Sequence, residues 1–293
     1  MSSALSLASA AEEDLGALPL VTAKAWAIAD AEKGAVLWGE NAEEKRKSAS
    51  TTKSMCAYVV LTLAEKEPSV LEERVTYSKV AASTAGSTSE VKEGESLSVK
   101  DCLYALMLPS GNDAGNALGE HFNKRFAPPD EKLKKLGLSN PVLASRVNFI
   151  AEMNRHAQRL GMKDTVYRAT FGDGGTENDR TTTAADLCGL AAAAMKLESF
   201  RQIVNTLEHT GRVTSKTGVV RDQRWENTNP LLKLDLGYDG IKTGMTNQAG
   251  YCLVVSSKRG DDRLILVVLG CVDEATRSAD VRNLARWAWR KRE

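Results

Sequence analysis

A serine and a lysine three residues apart stand at the start of the most apolar stretch in the chain. Ser50 and Lys53 are followed by residues that are apolar on nearly every side up to about Lys66. Such a stretch predicts a buried helix, on which residues three apart are neighbours. A serine hydroxyl beside an amine at a helix start is a candidate nucleophile with its general base. By itself, Ser-x-x-Lys is more typical of a helix cap followed by an ordinary exposed lysine.

The lysine can act as a base only when it is neutral. Lowering its pKa from ~10.4 to ~7 requires roughly 4–5 kcal/mol of differential stabilisation. Burial on the apolar helix supplies part of that free energy, and a second cation nearby would supply more. We therefore predict a desolvated Lys53 with a lowered pKa, and we expect Lys242 to approach the same site from a strand.

Two further motifs carry polar side chains suited to binding or proton transfer. Ser110 and Asn112 lie in Pro-Ser-Gly-Asn-Asp-Ala at 109–114, which by itself is turn chemistry. Lys-Thr-Gly at 242–244 precedes an apolar strand, where a glycine permits close approach of a ligand. The same triplet occurs at 216–218 in a polar context, and we interpret that copy as a peripheral hairpin.

The elements around these motifs predict a mixed sheet with a helical insertion. A hairpin at 24–38 cannot persist alone, so the late strands at 251–256 and 263–269 are its natural partners. Residues 68–96 are predicted as loop with short strands. The predicted helices cover about 50–66, 98–107, 113–125, 146–160, 181–196 and 275–291. The sheet would be covered by the two terminal helices, with an all-helical lobe between them.

Composition excludes several classes of protein. The chain has 293 residues, 42% of them hydrophobic, which is enough for a sizeable core. Lys+Arg number 39 against 38 Asp+Glu, so neither a polybasic nucleic-acid binder nor a disordered chain is indicated. No apolar run reaches the ~18 residues of a membrane helix. The five cysteines are widely spaced without a CxxC pair, which predicts buried thiols and no zinc site.

Taken together and in this order, the three motifs resemble the signature set of penicillin-binding proteins and class A β-lactamases. The flanking sequence resembles the low-molecular-mass penicillin-binding proteins, the serine-type D-Ala-D-Ala carboxypeptidases, over about residues 22–290. The matching stretches are 48–53, 99–114, 160–165 and 239–251. The resemblance implies an α/β (α+β) two-lobed β-lactamase/transpeptidase-like fold, in which terminal helices flank a central, mainly antiparallel sheet.

The predicted organisation is a single catalytic domain at 21–293 behind a tail or signal-peptide stub at 1–20. Its sheet lobe would comprise about 21–65 and 206–293, and its helical lobe about 66–205. No C-terminal β domain and no membrane anchor are expected in this sequence.

The resemblance also implies roles for individual residues. Ser50 corresponds to the acylated nucleophile and Lys53 to its general base. Ser110 corresponds to the hydroxyl that relays a proton to the leaving amine, and Asn112 to the amide that orients substrate and lysine. The substrate-binding residues implied are Lys242, Thr243, Gly244, Met245 and Arg277.

Within that set, Lys242 and Thr243 would anchor the substrate carboxylate, and Arg277 would steer it. The backbone N–H groups of Ser50 and Met245 would form the oxyanion hole. No metal or other cofactor is implied.

The implied activity is removal of the terminal D-alanine from peptidoglycan stem peptides through an acyl-enzyme. β-Lactam antibiotics would be covalent inhibitors, nucleic acid is not an expected partner, and the location would be periplasmic or otherwise extracytoplasmic. The alternatives are a β-lactamase or promiscuous serine esterase of the same fold, or a slow-turnover penicillin-binding sensor.

Two stretches depart from the family pattern. The loop at 171–177 lacks the usual Asn-Pro, and its Glu177 is the only acid placed to imitate a class A deacylation glutamate. The polar excursion at 128–140 is longer than expected.

Overall fold

Strands from the two ends of the chain form one antiparallel sheet of five strands. The computed structural model describes residues 16–138, 143–172, 182–234 and 236–292. Its strands are β1 (Ala25–Asp30), β2 (Val36–Glu40), β3 (Arg74–Thr76), β4 (Ser96–Ser98), β5 (Glu208–Thr214), β6 (Val220–Glu226), β7 (Tyr238–Thr246), β8 (Gly250–Arg259) and β9 (Asp262–Cys271). The five-stranded sheet is ordered β2-β1-β9-β8-β7. β1 pairs with both β2 and β9, so the predicted partnership of the early hairpin with the late strands is confirmed.

The central strands are apolar on both faces because helices cover both faces. In β1, Ala25, Ala27 and Ala29 belong to the core shared with the helical insertion. The alternate residues Trp26 and Ile28 belong to a second core beneath the C-terminal helix. In β1 the period of two thus places small side chains on one face of the sheet and large ones on the other.

The helices are α1 (Lys53–Ala64), α2 (Lys79–Ala82), α3 (Val99–Met107), α4 (Asn112–Phe122), α5 (Glu131–Leu133), α6 (Val147–Arg159), α7 (Ala184–Ala194), α8 (Glu198–Asn205) and α9 (Glu274–Arg292). α9 packs on β8 and β9, whereas α7 packs on the other face against β1 and β9. The predicted fold class is confirmed, but two details differ. The first is that α7, from the insertion, covers the face of the sheet that was predicted to be covered by a terminal helix.

The insertion is also not all helical, because it contributes to a second antiparallel sheet ordered β3-β4-β5-β6. β3 and β4 have three residues each. β3 lies within the stretch 68–96 that was predicted to hold short strands, whereas β4 begins at the last residue of that stretch. The β5–β6 hairpin, at 208–226, falls in the segment predicted for the sheet lobe, yet it pairs with β4. Its strands are mostly polar and exposed, so they could not occupy the buried five-stranded sheet.

All five cysteine side chains are buried, as predicted, and within the described residues none belongs to a disulfide. No helix in the described part of the chain combines the length and hydrophobicity needed to span a bilayer.

Candidate active site

The Ser-x-x-Lys motif lies where a short 3-10 turn (Ala49–Thr52) leads into α1. Lys53 is completely buried. Its Nζ lies 2.8 Å from Ser50 Oγ, 2.7 Å from Asn112 Oδ1 and 3.2 Å from the Phe171 carbonyl oxygen. Ser50 thus precedes the helix rather than opening it, and three separate chain segments meet at one amine.

These three acceptors determine how a neutral Lys53 would be oriented. An ammonium group has three N–H donors, which match the three acceptors. A neutral amine has two N–H donors and one lone pair. If the two donors stay on Asn112 Oδ1 and the Phe171 carbonyl, the lone pair faces Ser50 Oγ. The geometry is that of a general base directed at a nucleophile.

Asn112 is held in one orientation by the loop that precedes α3. Its Nδ2 donates to the carbonyl oxygen of Ala85 at 2.8 Å, and its backbone N–H donates to the Ser87 carbonyl at 2.8 Å. Because Nδ2 is committed to Ala85, Oδ1 is the atom that accepts from Lys53. A Cβ at Gly86 would lie 2.6 Å from Asn112 Nδ2, so this loop position requires glycine.

Ser110 has the backbone conformation of a strained functional position. Its φ is +67°, a left-handed value that a residue other than glycine seldom adopts. The side chain is 6% exposed, and its Oγ has no hydrogen-bond partner within the described residues. A buried hydroxyl left in this way is suited to exchange a proton with a bound substrate.

The Lys-Thr-Gly triplet lies on β7, at one edge of the five-stranded sheet. Lys242 is 1% exposed. Burial, together with the positive charge of Arg277, lowers the pKa of Lys242 to about 7. Thr243 Oγ1 shares a hydrogen bond of 2.7 Å with Thr228 Oγ1 and lies 3.4 Å from Lys242 Nζ.

Gly244 allows β7 to approach the 3-10 turn. A Cβ at this position would lie 2.8 Å from the Ser48 carbonyl oxygen and 3.0 Å from the Ser50 backbone nitrogen. Any side chain would therefore push the turn away from the strand. Met245 follows on the same strand, and its side chain is 53% exposed.

Arg277 lies in the first turns of α9 and is 3% exposed. Its Nη2 pairs with Glu274 Oε1 at 2.9 Å, and its guanidinium carbon lies 5.9 Å from the centre of the Tyr251 ring. Tyr251 pairs with Met245 of β7, so this contact places Arg277 beside the Lys-Thr-Gly strand, which the sequence indicated only by resemblance.

The remaining predicted positions lie elsewhere or outside the described residues. Lys216 is exposed in the turn between β5 and β6, as expected for a peripheral hairpin. Glu177 and the neighbouring residues 173–181 lie outside the described residues. In the excursion at 128–140, α5 and a π-helical turn (Lys134–Leu138) are described, whereas 139 and 140 are not.

Sequence reasoning did not identify three groups that complete the site. They are the Phe171 carbonyl, the Thr228 hydroxyl and the Ala85 carbonyl. Two of them are backbone atoms, for which side-chain chemistry gives no signal. Thr228 is polar and exposed in a connecting segment, so only the fold reveals its contact with Thr243.

Comparison with known proteins gives consistent matches across the chain. The family described as D-alanyl-D-alanine carboxypeptidase matches residues 10–143 and 136–273. The D-alanyl-D-alanine carboxypeptidase of Streptomyces sp. (strain K15) is 33% identical over 261 residues, covering 87% of this chain and 83% of that protein. DacC of Escherichia coli (strain K12) is 33% identical, covering 96% of this chain and 64% of its own length. DacF of Bacillus subtilis (strain 168) is 30% identical, covering 91% and 62%.

The solved structures give the same result for the fold. The crystal structure of the Streptomyces K15 DD-transpeptidase superposes with a TM-score of 0.79 at 32% identity, covering 93% of this chain and 98% of that one. The D-alanyl-D-alanine carboxypeptidase DacD from Francisella tularensis gives a TM-score of 0.76 at 26% identity, covering 95% and 74%.

Proposed function

Since the chain belongs to the D-alanyl-D-alanine carboxypeptidase family, we propose that it removes the terminal D-alanine of peptidoglycan stem peptides through an acyl-enzyme on Ser50. One observation carries this proposal for the site itself. Lys53 Nζ, buried at the start of α1, meets Ser50 Oγ at 2.8 Å and Asn112 Oδ1 at 2.7 Å. This geometry supports Ser50 as the nucleophile, Lys53 as its base and Asn112 as the amide that orients the base.

Acylation follows from this arrangement. Ser50 Oγ attacks the carbonyl carbon of the D-Ala-D-Ala peptide bond while its proton passes to the neutral Lys53. The oxyanion that forms would accept hydrogen bonds from the backbone N–H groups of Ser50 and Met245. The C–N bond then breaks, and the proton moves from Lys53 through the Ser110 hydroxyl to the departing amine of D-alanine. Water hydrolyses the ester and regenerates Ser50.

Recognition of the substrate depends on its terminal carboxylate. Lys242 and Arg277 supply positive charge at the strand edge, and the Thr243 hydroxyl supplies a donor. Burial disfavours the charged form of Lys242, whose pKa is about 7, and a bound carboxylate would stabilise that charge as its counter-ion. This arrangement favours peptides that end in a free carboxylate.

The proposed activity also indicates which inhibitors would react with the protein and where the protein would be located. A β-lactam presents a strained amide and a carboxylate, so penicillins would acylate Ser50. Peptidoglycan lies outside the cytoplasm, so we infer a periplasmic or other extracytoplasmic location.

Two measurements test the proposal and separate it from its alternatives. Steady-state release of D-alanine from diacetyl-Lys-D-Ala-D-Ala is measured beside hydrolysis of a chromogenic cephalosporin. Turnover mainly of the peptide supports a carboxypeptidase, and turnover mainly of the cephalosporin supports a β-lactamase. Acylation without turnover of either substrate supports a penicillin-binding sensor. Mass spectrometry after labelling with a fluorescent penicillin should locate the adduct on Ser50. An adduct on Ser110 or Ser215, or no adduct, would contradict the assignment.

A further inference from the structure

A buried asparagine on α4 connects the two segments that hold Lys53 in place. Asn116 is 3% exposed and lies one helical turn beyond Asn112. Its Nδ2 donates to Thr84 Oγ1 at 2.8 Å. Its Oδ1 accepts from Thr170 Oγ1 at 2.9 Å, and Thr170 is completely buried. One amide therefore joins two loops that are 86 residues apart in the chain.

Each loop places an acceptor beside the catalytic groups. Thr84 precedes Ala85, whose carbonyl oxygen fixes the amide of Asn112. Thr170 precedes Phe171, whose carbonyl oxygen accepts directly from Lys53. The two hydrogen-bond partners of the Asn116 amide, Thr84 and Thr170, thus each directly precede a residue whose carbonyl oxygen helps to set the direction of the Lys53 lone pair.

The packing of α4 shows why a hydrogen bond is needed here. A Cβ at Gly115 would lie 3.3 Å from the Thr170 carbonyl oxygen, and a Cβ at Gly119 would lie 2.8 Å from Thr170 Cγ2. The glycines let the 170–171 segment lie directly against the helix, but they offer it no side-chain contact. The hydrogen bond from the Thr170 hydroxyl to the Asn116 amide therefore fixes the position of the 170–171 segment on α4.

We propose that Asn116 is a positioning residue for Lys53, because it holds the Phe171 carbonyl and, through the 84–85 loop, the Asn112 amide. This inference rests on the proposed function, in which Lys53 is the general base. Loss of the amide would let both acceptors drift and the lone pair turn away from Ser50. Displacements of about 1 Å in a reacting group cost up to roughly 100-fold in rate. Binding of the substrate carboxylate, which uses β7, would be unaffected.

The test measures penicillin acylation of the full chain, separating the dissociation constant of the initial complex from the acylation rate constant. Asn116→Ala should lower the rate constant roughly 10-fold or more while the dissociation constant changes by less than about 2-fold. Thr170→Val removes one of the two arms and should give a smaller loss. In the double variant the losses should combine to less than their product, since Thr170 acts through Asn116.

Asn154→Ala is the matched control. Asn154 is also 3% exposed, and its amide bonds the Ile150 and Tyr167 carbonyl oxygens at 2.9 and 2.8 Å. Thermal unfolding measures the stability of each variant. If Asn154→Ala loses as much stability as Asn116→Ala but keeps its acylation rate constant, the positioning role is supported.

Three outcomes would overturn the inference. They are a normal acylation rate constant in folded Asn116→Ala, a loss confined to the dissociation constant, and equal loss in the Asn154→Ala control. If Asn116→Ala does not fold, an unchanged rate constant in Thr170→Val overturns it instead. Failure of the unaltered protein to acylate Ser50 would overturn the proposed function as well, so the two failures are distinguishable.

Discussion

The buried cation on β7 allows a quantitative prediction for Arg277→Gln. Lys242 has a pKa lowered from 10.5 to about 7, first by burial and second by the charge of Arg277. Lowering the pKa from 10.5 to about 7 corresponds to roughly 5 kcal/mol in favour of the neutral amine. Burial is the larger cause and the charge of Arg277 the smaller. Removing the arginine should therefore raise the pKa of Lys242 part of the way back towards its ordinary value.

The sign of the effect decides what the assay should show. In the unaltered protein the Lys242 cation is lost as the pH rises through about 7, and with it the attraction for a substrate carboxylate. We expect kcat/KM for diacetyl-Lys-D-Ala-D-Ala to fall along an alkaline limb near that pH, because kcat/KM reports the groups of the free enzyme. In Arg277→Gln the limb should move to higher pH, even though the rate is lower throughout.

A threonine variant provides the comparison. Thr243→Val removes a neutral hydroxyl that lies 3.4 Å from Lys242 Nζ, so it should lower kcat/KM without moving the limb to higher pH. An alkaline limb that stays in place, or moves to lower pH, in Arg277→Gln would refute the electrostatic reasoning. It would mean that the limb belongs to a group other than Lys242.

Three further changes test the site. Lys242→Ala should lower kcat/KM by roughly 100-fold, or about 2.7 kcal/mol, whereas Lys216→Ala in the exposed hairpin should match the unaltered protein in the same steady-state assay. The opposite result would show that 216–218, and not 242–244, is the functional triplet. Lys53→Arg keeps a charge that cannot be lost, so penicillin acylation should fall to near background with the circular dichroism spectrum intact, and brisk acylation would point to a different base. Gly244→Ala should lower the acylation rate constant by roughly 10-fold or more, because its Cβ would lie 3.0 Å from the Ser50 nitrogen; an unchanged rate in stopped-flow measurements would show that the turn yields without cost.

The parts of the site that sequence could predict are those fixed by local geometry. Ser50 and Lys53 are three residues apart, so any helical turn brings them together. Asn112 lies 59 residues beyond Lys53 in the chain, where no such local constraint applies, and only the family resemblance associated the two residues. The Phe171 carbonyl had no signal at all, because every residue has a carbonyl and its position depends on the packing of the whole insertion.

The fold likewise divides into features that local sequence patterns predict and features that depend on long-range packing. The early hairpin and the late strands could be predicted because their alternate residues face two cores. Short strands at 68–96 and a peripheral hairpin around Lys216 were predicted, but their pairing into a second sheet was not. These strands are short or polar, so the periodicity that reveals a buried strand is weak there. The sequence also could not predict that α7 covers the face of the five-stranded sheet opposite α9. A nearly uniform run of alanines and leucines at 184–194 does not indicate which surface the helix contacts.

The buried cysteines make this protein convenient for site-specific spectroscopy. Only a thiolate reacts readily with maleimides, iodoacetamides or oxidised glutathione. Burial raises the pKa of Cys56 to about 12, and it raises the pKa of Cys102, Cys188 and Cys271 as well. A single cysteine introduced at an exposed position, such as Lys216→Cys, should therefore take a dye or spin label without removal of the native five. Labels at two such positions would give a distance that can be followed while the folded protein acylates.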